Sequence, residues 1–252
     1  MTLETGRHLL ARDARIPALG ATAPIHGGVL VAALVLLCGS FGLLALPEAT
    51  VLALGEEDGW IEAIGAIAFL AAGVLYARAA FACGRHDSSR GARPWLLVLA
   101  LAFLFAGAEE ISWGQRLIGW ETPPGIEAIN SQGETTIHNL AIFQEDQRFD
   151  FYLLFNLFWL AYCLALPLGA RVEPIAGLAR RLRVPVPPLW SGGLLLATYV
   201  TFKFTAIQFP HGGEVRHVAN ELKETNSAVV ILLLAAWELR RVRRTTEATE
   251  DA

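Results

Sequence analysis

Residues 106–120 read A-G-A-E-E-I-S-W-G-Q-R-L-I-G-W, and the pair Glu109–Glu110 inside them decides what kind of chain this is. The pair closes a run, Trp95 to Ala108, that is otherwise wholly apolar and reads as a membrane helix. At the helical rise of about 1.5 Å per residue, Glu109 lies about 21 Å along that helix from Trp95. A hydrocarbon core of roughly 30 Å still surrounds the carboxylates at that depth. Ionisable groups placed there are costly, turn toward the bundle interior and mark a functional site by default.

The rest of the chain agrees with a membrane class. Of its 252 residues 54% are hydrophobic and only 17% charged, with a mean hydropathy of +0.44. Several apolar segments are long enough to span. The net charge of −4 matters less than its distribution, and no nucleic-acid partner is expected. All basic residues except Lys203 and Lys223 are arginines, which with abundant Ala, Gly and Leu suggests a bacterial source. Cys38, Cys83 and Cys163 show no metal-type spacing and no disulfide framework.

Six spans follow in order. Residues 1–24 form a polar tail, and Gly27 to Leu46 is the first span, too long for a signal h-region and lacking an A-x-A site. The second runs from Trp60 to about Ala82, with Glu62, Gly65, Ala66, Ala72 and Gly73 on one face. Small residues let membrane helices approach closely, so that face is expected to turn inward. Trp95 opens the third span. An acidic loop, residues 116–150, follows it; Thr135 or Thr136 is placed to cap a short helix carrying His138. Phe151 to Ala170 and Trp190 to Phe209 are the fourth and fifth spans. The last apolar run, Ala228 to Trp237, is too short to cross alone. That helix must therefore begin near His217 with a polar outer half, H-V-A-N-E-L-K-E-T-N, and residues 244–252 form a second tail.

Arginine sets the orientation. The N-terminus, the loops after spans two and four and the C-terminus are Arg-rich, whereas the loops after spans one, three and five are acidic or nearly balanced. The expected fold is thus an all-α bundle of six transmembrane helices over residues 25–243, N-in and C-in, in a bacterial inner membrane.

Trp95, Trp190 and Trp237 mark the inner interface of three spans. Glu109, Lys203 and Glu224 each lie 13 or 14 residues outward from one of them, about 20 Å up. Asn156 reaches a similar height in span four, and Glu62 enters span two from the outer side. An ion pair of Lys203 with one acid would fix helix register without chemistry. The carboxylates outnumber that lysine, so at least one acid is left unmatched. Glu109, Glu110, Lys203 and Glu224 are therefore the candidate catalytic groups. Trp113, one turn from Glu109, Arg116, two turns away, and Glu62 are candidates for binding substrate.

Three of the six histidines, His138, His211 and His217, belong to the outer side. His217 and Glu221 at i, i+4 share a helix face, a spacing that can ligate one metal ion such as zinc. His138, His211, His217 and Glu221 are the candidate ligands of such a divalent metal, although H-x-x-x-E alone is a weak signal.

The string E-E-I-S-W-G-Q-R-L-I-G-W-E-T-P, followed by G-E-T-T-I-H-N-L, resembles a pattern in uncharacterised bacterial multi-span membrane proteins. That resemblance implies a membrane fold and no activity. Alkaline ceramidase-like hydrolases offer an analogy of architecture only, since their Ser/Asp/three-His set does not map onto this chain. The leading expectation is a metal-dependent hydrolase or transferase acting on a lipid or lipid-linked substrate at the outer face. The alternatives are a proton-coupled transporter using a Glu/Lys/His relay and a non-catalytic subunit that docks a partner.

Overall fold

The computed structural model describes residues 26–55, 59–83, 90–144, 151–208 and 213–250. Among them every regular element is a helix, and the only sheet-type pairing is an isolated bridge between Asn130 and Leu140. Helix α1 (Gly27–Ser40) runs on as a 3₁₀ turn, Phe41–Ala45. Helices α2 (Trp60–Ala82) and α3 (Arg93–Glu110) follow, the latter with a proline in its first turn, where a missing N–H costs nothing. Helix α4 (Phe151–Trp159) continues through a π-helical stretch, Leu160–Ala165, into Leu166–Gly169. Helix α5 is Leu189–Gln208, and α6 is a single rod, Glu214–Glu250, about 55 Å long.

Two helices, Gly27–Ala45 and Trp60–Ala82, are long and apolar enough to cross a membrane. A third qualifies if Leu153–Gly169 is joined to the helix Glu173–Leu182, bent 119° away from it. Helices α3, α5 and α6 carry charged residues within their length, Glu109 and Glu110, Lys203, and Glu221 and Glu224 among them.

Helix α2 is the centre of the bundle and packs most extensively on α3 and α6. The reason lies in its small residues. A Cβ on Gly73 would come within 2.6 Å of Leu104 Cγ, and one on Gly107 within 2.7 Å of Leu70 Cγ. The two glycines thus let α2 and α3 approach at two reciprocal points. On the other side Gly65 faces Thr225, whose hydroxyl donates to the Ile61 carbonyl at 2.7 Å. Gly65, Ala66, Ala72 and Gly73 are all buried, as the sequence pattern requires. Asn226 ties α6 to α1, its amide donating to the Leu37 carbonyl (3.0 Å) and to Ser40 Oγ (2.9 Å).

A direct pairing of the third and sixth spans is expected from the matched heights of Glu109 and Glu224. The bundle is built otherwise: the two helices concerned, α3 and α6, each pack mainly on α2 rather than on each other. Phe69, Tyr76, Phe103 and Phe158 fill the middle with ring–ring contacts of 5.8–6.0 Å. Beyond them, toward the C-terminal end of α6, Glu238 is buried and paired with Arg241, whose Nε donates at 2.9 Å.

Candidate functional site

The site begins where α3 stops. Ser112 (φ 48°), Trp113 (φ 56°) and Gly114 (φ 77°) take three successive left-handed conformations. For L-residues that conformation costs roughly 1–2 kcal/mol each, so something must hold Trp113 there. Its indole N–H donates to Glu109 Oε1 at 2.5 Å, and its ring meets Phe105 edge-on at 5.5 Å. The reversal throws the chain over that end of the bundle.

Polar side chains then fold the loop back. Asn130 Oδ1 accepts from the backbone N–H groups of Gln132 (3.0 Å) and Glu134 (3.1 Å), and its amide donates to the Thr136 carbonyl (2.8 Å). Gln115 spans the loop, donating to Thr122 Oγ1 (2.7 Å) and accepting from the Thr135 N–H (3.0 Å). Ser112 Oγ donates to Glu134 Oε2 at 2.6 Å. The result is a compact cap rather than the expected helix around His138. Residues 137–140 form turns, and helix is confined to Ala141–Gln144. The backbone groups there are spent on other partners.

One of those partners is Glu109. Its Oε2 accepts from the backbone N–H of Ile137 (2.7 Å), the backbone N–H of His138 (3.0 Å) and His138 Nδ1 (3.1 Å). With Trp113 on the other oxygen, the buried carboxylate is engaged by four donors. To donate, Nδ1 must carry the proton, which sets the tautomer when the ring is neutral. Burial works to lower the His138 pKa, but the hydrogen bond to Glu109 and the charges of Glu110, Glu109 and Glu134 raise it on balance. Glu109 is therefore a clamp that fastens the loop to the bundle, a positioning residue in place of a free base.

Beneath the loop lies a cavity of about 810 Å³. Glu62 from α2, Glu110 from α3, and Glu221 and Glu224 from α6 face it, with His138 and Glu134 from the loop above. Phe69, Phe105, Phe155, Trp159 and Tyr199 form its apolar wall. Asn156 lines it too and accepts from the Trp159 indole at 3.0 Å. Glu110 sits deep, close enough to His138, Glu221 and Glu62 to feel their charges. Among the described residues it makes no hydrogen bond and no ion pair. Its neighbour in sequence is fully engaged; Glu110 alone is available.

Comparison with protein-family models, with curated proteins and with solved structures finds no match for this chain. The geometry has to speak for itself.

It sorts the expected residues. Glu62, Glu110, Glu221, Glu224, His138 and His217 share the cavity. Lys203 does not: it is exposed, with Nζ 5.3 Å from the Tyr199 ring and 5.6 Å from the Phe202 ring. The lysine of the cavity is Lys223, which donates to Asn220 Oδ1 (2.6 Å) and lies 3.8 Å from Glu224. Trp113 serves the clamp and is otherwise 43% exposed. His211 and the Arg116 side chain lie outside the described residues.

His138 and His217 do line one cavity with acids, as a shared metal site requires. His138 Nδ1 is taken by Glu109, however, and His217 Nε2 lies 3.8 Å from Glu221. Among the described residues no three His, Cys, Asp or Glu side chains stand close enough to hold a metal ion. Sequence reasoning missed Lys223, Glu134, Ser112 and Gln115. Glu134 belongs to the G-E-T-T-I-H-N-L string and Ser112 and Gln115 to E-E-I-S-W-G-Q-R, so the two strings flanking the clamp were its only signal.

Proposed function

We propose that this chain is a six-span, N-in/C-in protein of the bacterial inner membrane whose outward-facing chamber acts on a lipid or lipid-linked substrate. Glu110 is its acid–base group, and the reaction is a hydrolysis or a group transfer. The observation that carries the reading is the Glu110 carboxylate, without a hydrogen bond or ion pair among the described residues, in a cavity lined by both acidic and aromatic side chains. A buried acid held without a partner is costly, and such groups cluster where chemistry needs them. The mixed wall suits a molecule with a polar head and an apolar tail.

Three features support the membrane setting. Val35, Ile67, Leu101, Leu157 and Phe204 are exposed on five different helices, an outer surface suited to lipid rather than water. Ile175, Leu178 and Leu182 are exposed on the helix Glu173–Leu182, which also carries Arg180 and Arg181, an amphipathic pattern that favours the inner membrane surface. The Trp95 indole donates to the Leu182 carbonyl at 2.9 Å, so the proposed inner end of α3 and that helix share one level.

In this reading the loop above the cavity keeps bulk water out, and the Glu109 clamp holds it there. Glu110 takes a proton from the attacking group and returns it to the leaving group. Transport is disfavoured because the aromatic core between Phe69 and Tyr76 closes the inner half. Elemental analysis of the purified protein tests the zinc expected from His138, His211, His217 and Glu221. One equivalent of zinc would favour the metal-dependent reading over Glu110 acting without a metal.

Two experiments decide the reading. A cysteine at Ser131 should react with an impermeant external thiol reagent and one at Ser88 should not; the reverse pattern would turn the chamber to the cytoplasm. Deleting the gene should alter the membrane lipid profile. Complementation with Glu173→Gln should restore it and complementation with Glu110→Gln should not. An unchanged profile on deletion would remove the lipid substrate from the proposal.

A further inference from the structure

The charge on the cavity wall narrows the substrate class. Among the described side chains that line it are six carboxylates, one lysine and two histidines. The carboxylates exceed the cations by three even with both imidazoles protonated. Several acids are already engaged: Glu109 by the loop, Glu134 by Ser112, Glu221 beside His217 and Glu224 beside Lys223. Glu110 lines the cavity with no hydrogen bond or ion pair among the described residues, and the charge of His138 nearby is shared with Glu109. A phosphate, sulfate or carboxylate head entering there would meet like charge in a poorly solvated site, which costs several kcal/mol and is selected against. A cation would supply what Glu110 lacks.

The aromatic part of the lining favours the same ligand. Trp159 and Tyr199 border the cavity, and aromatic faces attract ammonium groups, Trp and Tyr most strongly. This end of the bundle already uses that contact with its own lysines. Lys203 Nζ lies 5.3 Å from the Tyr199 ring and Lys223 Nζ 4.9 Å from the Phe202 ring. Phe69, Phe105 and Phe155 then continue the wall as an apolar slot.

From Glu110, without a hydrogen bond or ion pair among the described residues, in a cavity lined by acids and aromatic rings, we infer that the chamber recognises an amine-bearing amphiphile. Its ammonium group pairs with Glu110, which takes the proton from it when the amine is the attacking group, and its tail lies along the phenylalanines that line the same cavity. The inference rests on the lipid-chamber reading above and specifies its substrate by the charge of the head.

The test uses the full-length protein in an uncharged maltoside detergent and three probes of one chain length: dodecylamine, dodecanol and dodecyl phosphate. Binding is read by tryptophan fluorescence and by the shift in thermal unfolding. Dodecylamine should bind at least about tenfold more tightly than dodecanol, as expected when one buried ionic contact is added. Glu110→Gln should remove that advantage, while Glu48→Gln, an equal change of charge on an exposed helix, should keep it. If Glu110→Gln is unfolded by circular dichroism, Glu221→Gln carries the same comparison with a smaller expected loss. Dodecyl phosphate binding as tightly as the amine would overturn the inference and leave the lipid chamber standing. Zinc chloride alone displacing the amine through Glu110 would overturn it in favour of a metal site. Equal, Glu110-independent binding of all three probes would remove both the inference and the reading beneath it.

Discussion

The two ends of the bundle treat buried carboxylates in opposite ways. At the proposed inner end Glu238 is paired with the Arg241 guanidinium three residues away on the same helix. At the proposed outer end acids from α2, α3, α6 and the loop crowd one cavity, and the adjacent residues Glu109 and Glu110 divide into an engaged acid and an open one. An acid surrounded by donors is architecture, because its charge is neutralised and its lone pairs are used. An acid left open at a cavity is poised for a ligand or a proton.

The largest expected effect falls on the engaged acid of the outer end. Glu109→Ala would strand the N–H groups of Ile137 and His138 and the Trp113 indole, and is expected to cost on the order of 3–5 kcal/mol, the scale of a broken buried pair. Hydrogen exchange should show the cap over residues 130–144 opening before the helices do. A cap that stays protected would mean Glu109 is not its clamp.

At the inner end Glu238→Ala should cost less, about 2–3 kcal/mol, as for a lost hydrogen bond to a charged group. The stranded Arg241 sits near the helix end and can snorkel toward water. Replacing both partners with Met and Leu should recover most of the loss in the midpoint of thermal unfolding. Failure to recover would show that Glu238 has a role beyond its pair.

Glu110→Gln should break the pattern in the other direction. Removing an unpartnered charge from a crowd of like charges should leave stability within about 1 kcal/mol of wild type or raise it, while the proposed activity is lost. A large destabilisation would mean that Glu110 is held by a contact of its own and belongs with Glu109.

The smallest effect concerns pH. His138 has a folded pKa above its usual value of 6.5, so its bond to Glu109 contributes fully below that value. The contribution fades as pH rises through the higher folded pKa. Limited proteolysis of the cap should therefore quicken on the alkaline side in wild type and be flat with pH in His138→Gln. A cap loosened by acid instead would place the titrating group elsewhere.

Much of this was legible before any coordinates. The second span was placed at Trp60 to about Ala82, where the helix lies, because an apolar run between an acidic loop and a basic one has few other places to end. The polar outer half of α6 followed from an apolar run too short to cross, and the helix does start at Glu214. The inward face of α2 followed from its small residues at helical spacing. The cap was less legible. Its T-T-I-H-N-L-A-I-F segment has a helical pattern, but Glu109 and Asn130 compete for its backbone groups from far away in sequence.

By itself the sequence determined the all-helical class and the heights of the polar residues, because residue count along a helix converts directly into rise. It also determined that acids outnumber cations on the proposed outer side. Only the tertiary structure decided direction around the bundle. Lys203 and Lys223 are both charged residues near the outer end, yet one faces outward and the other lines the cavity. Glu109 and Glu110 differ by one residue in height and by about 100° around the axis. That rotation separates a clamp from an open acid, and it acquires meaning only when α2, α6 and the returning loop are in place.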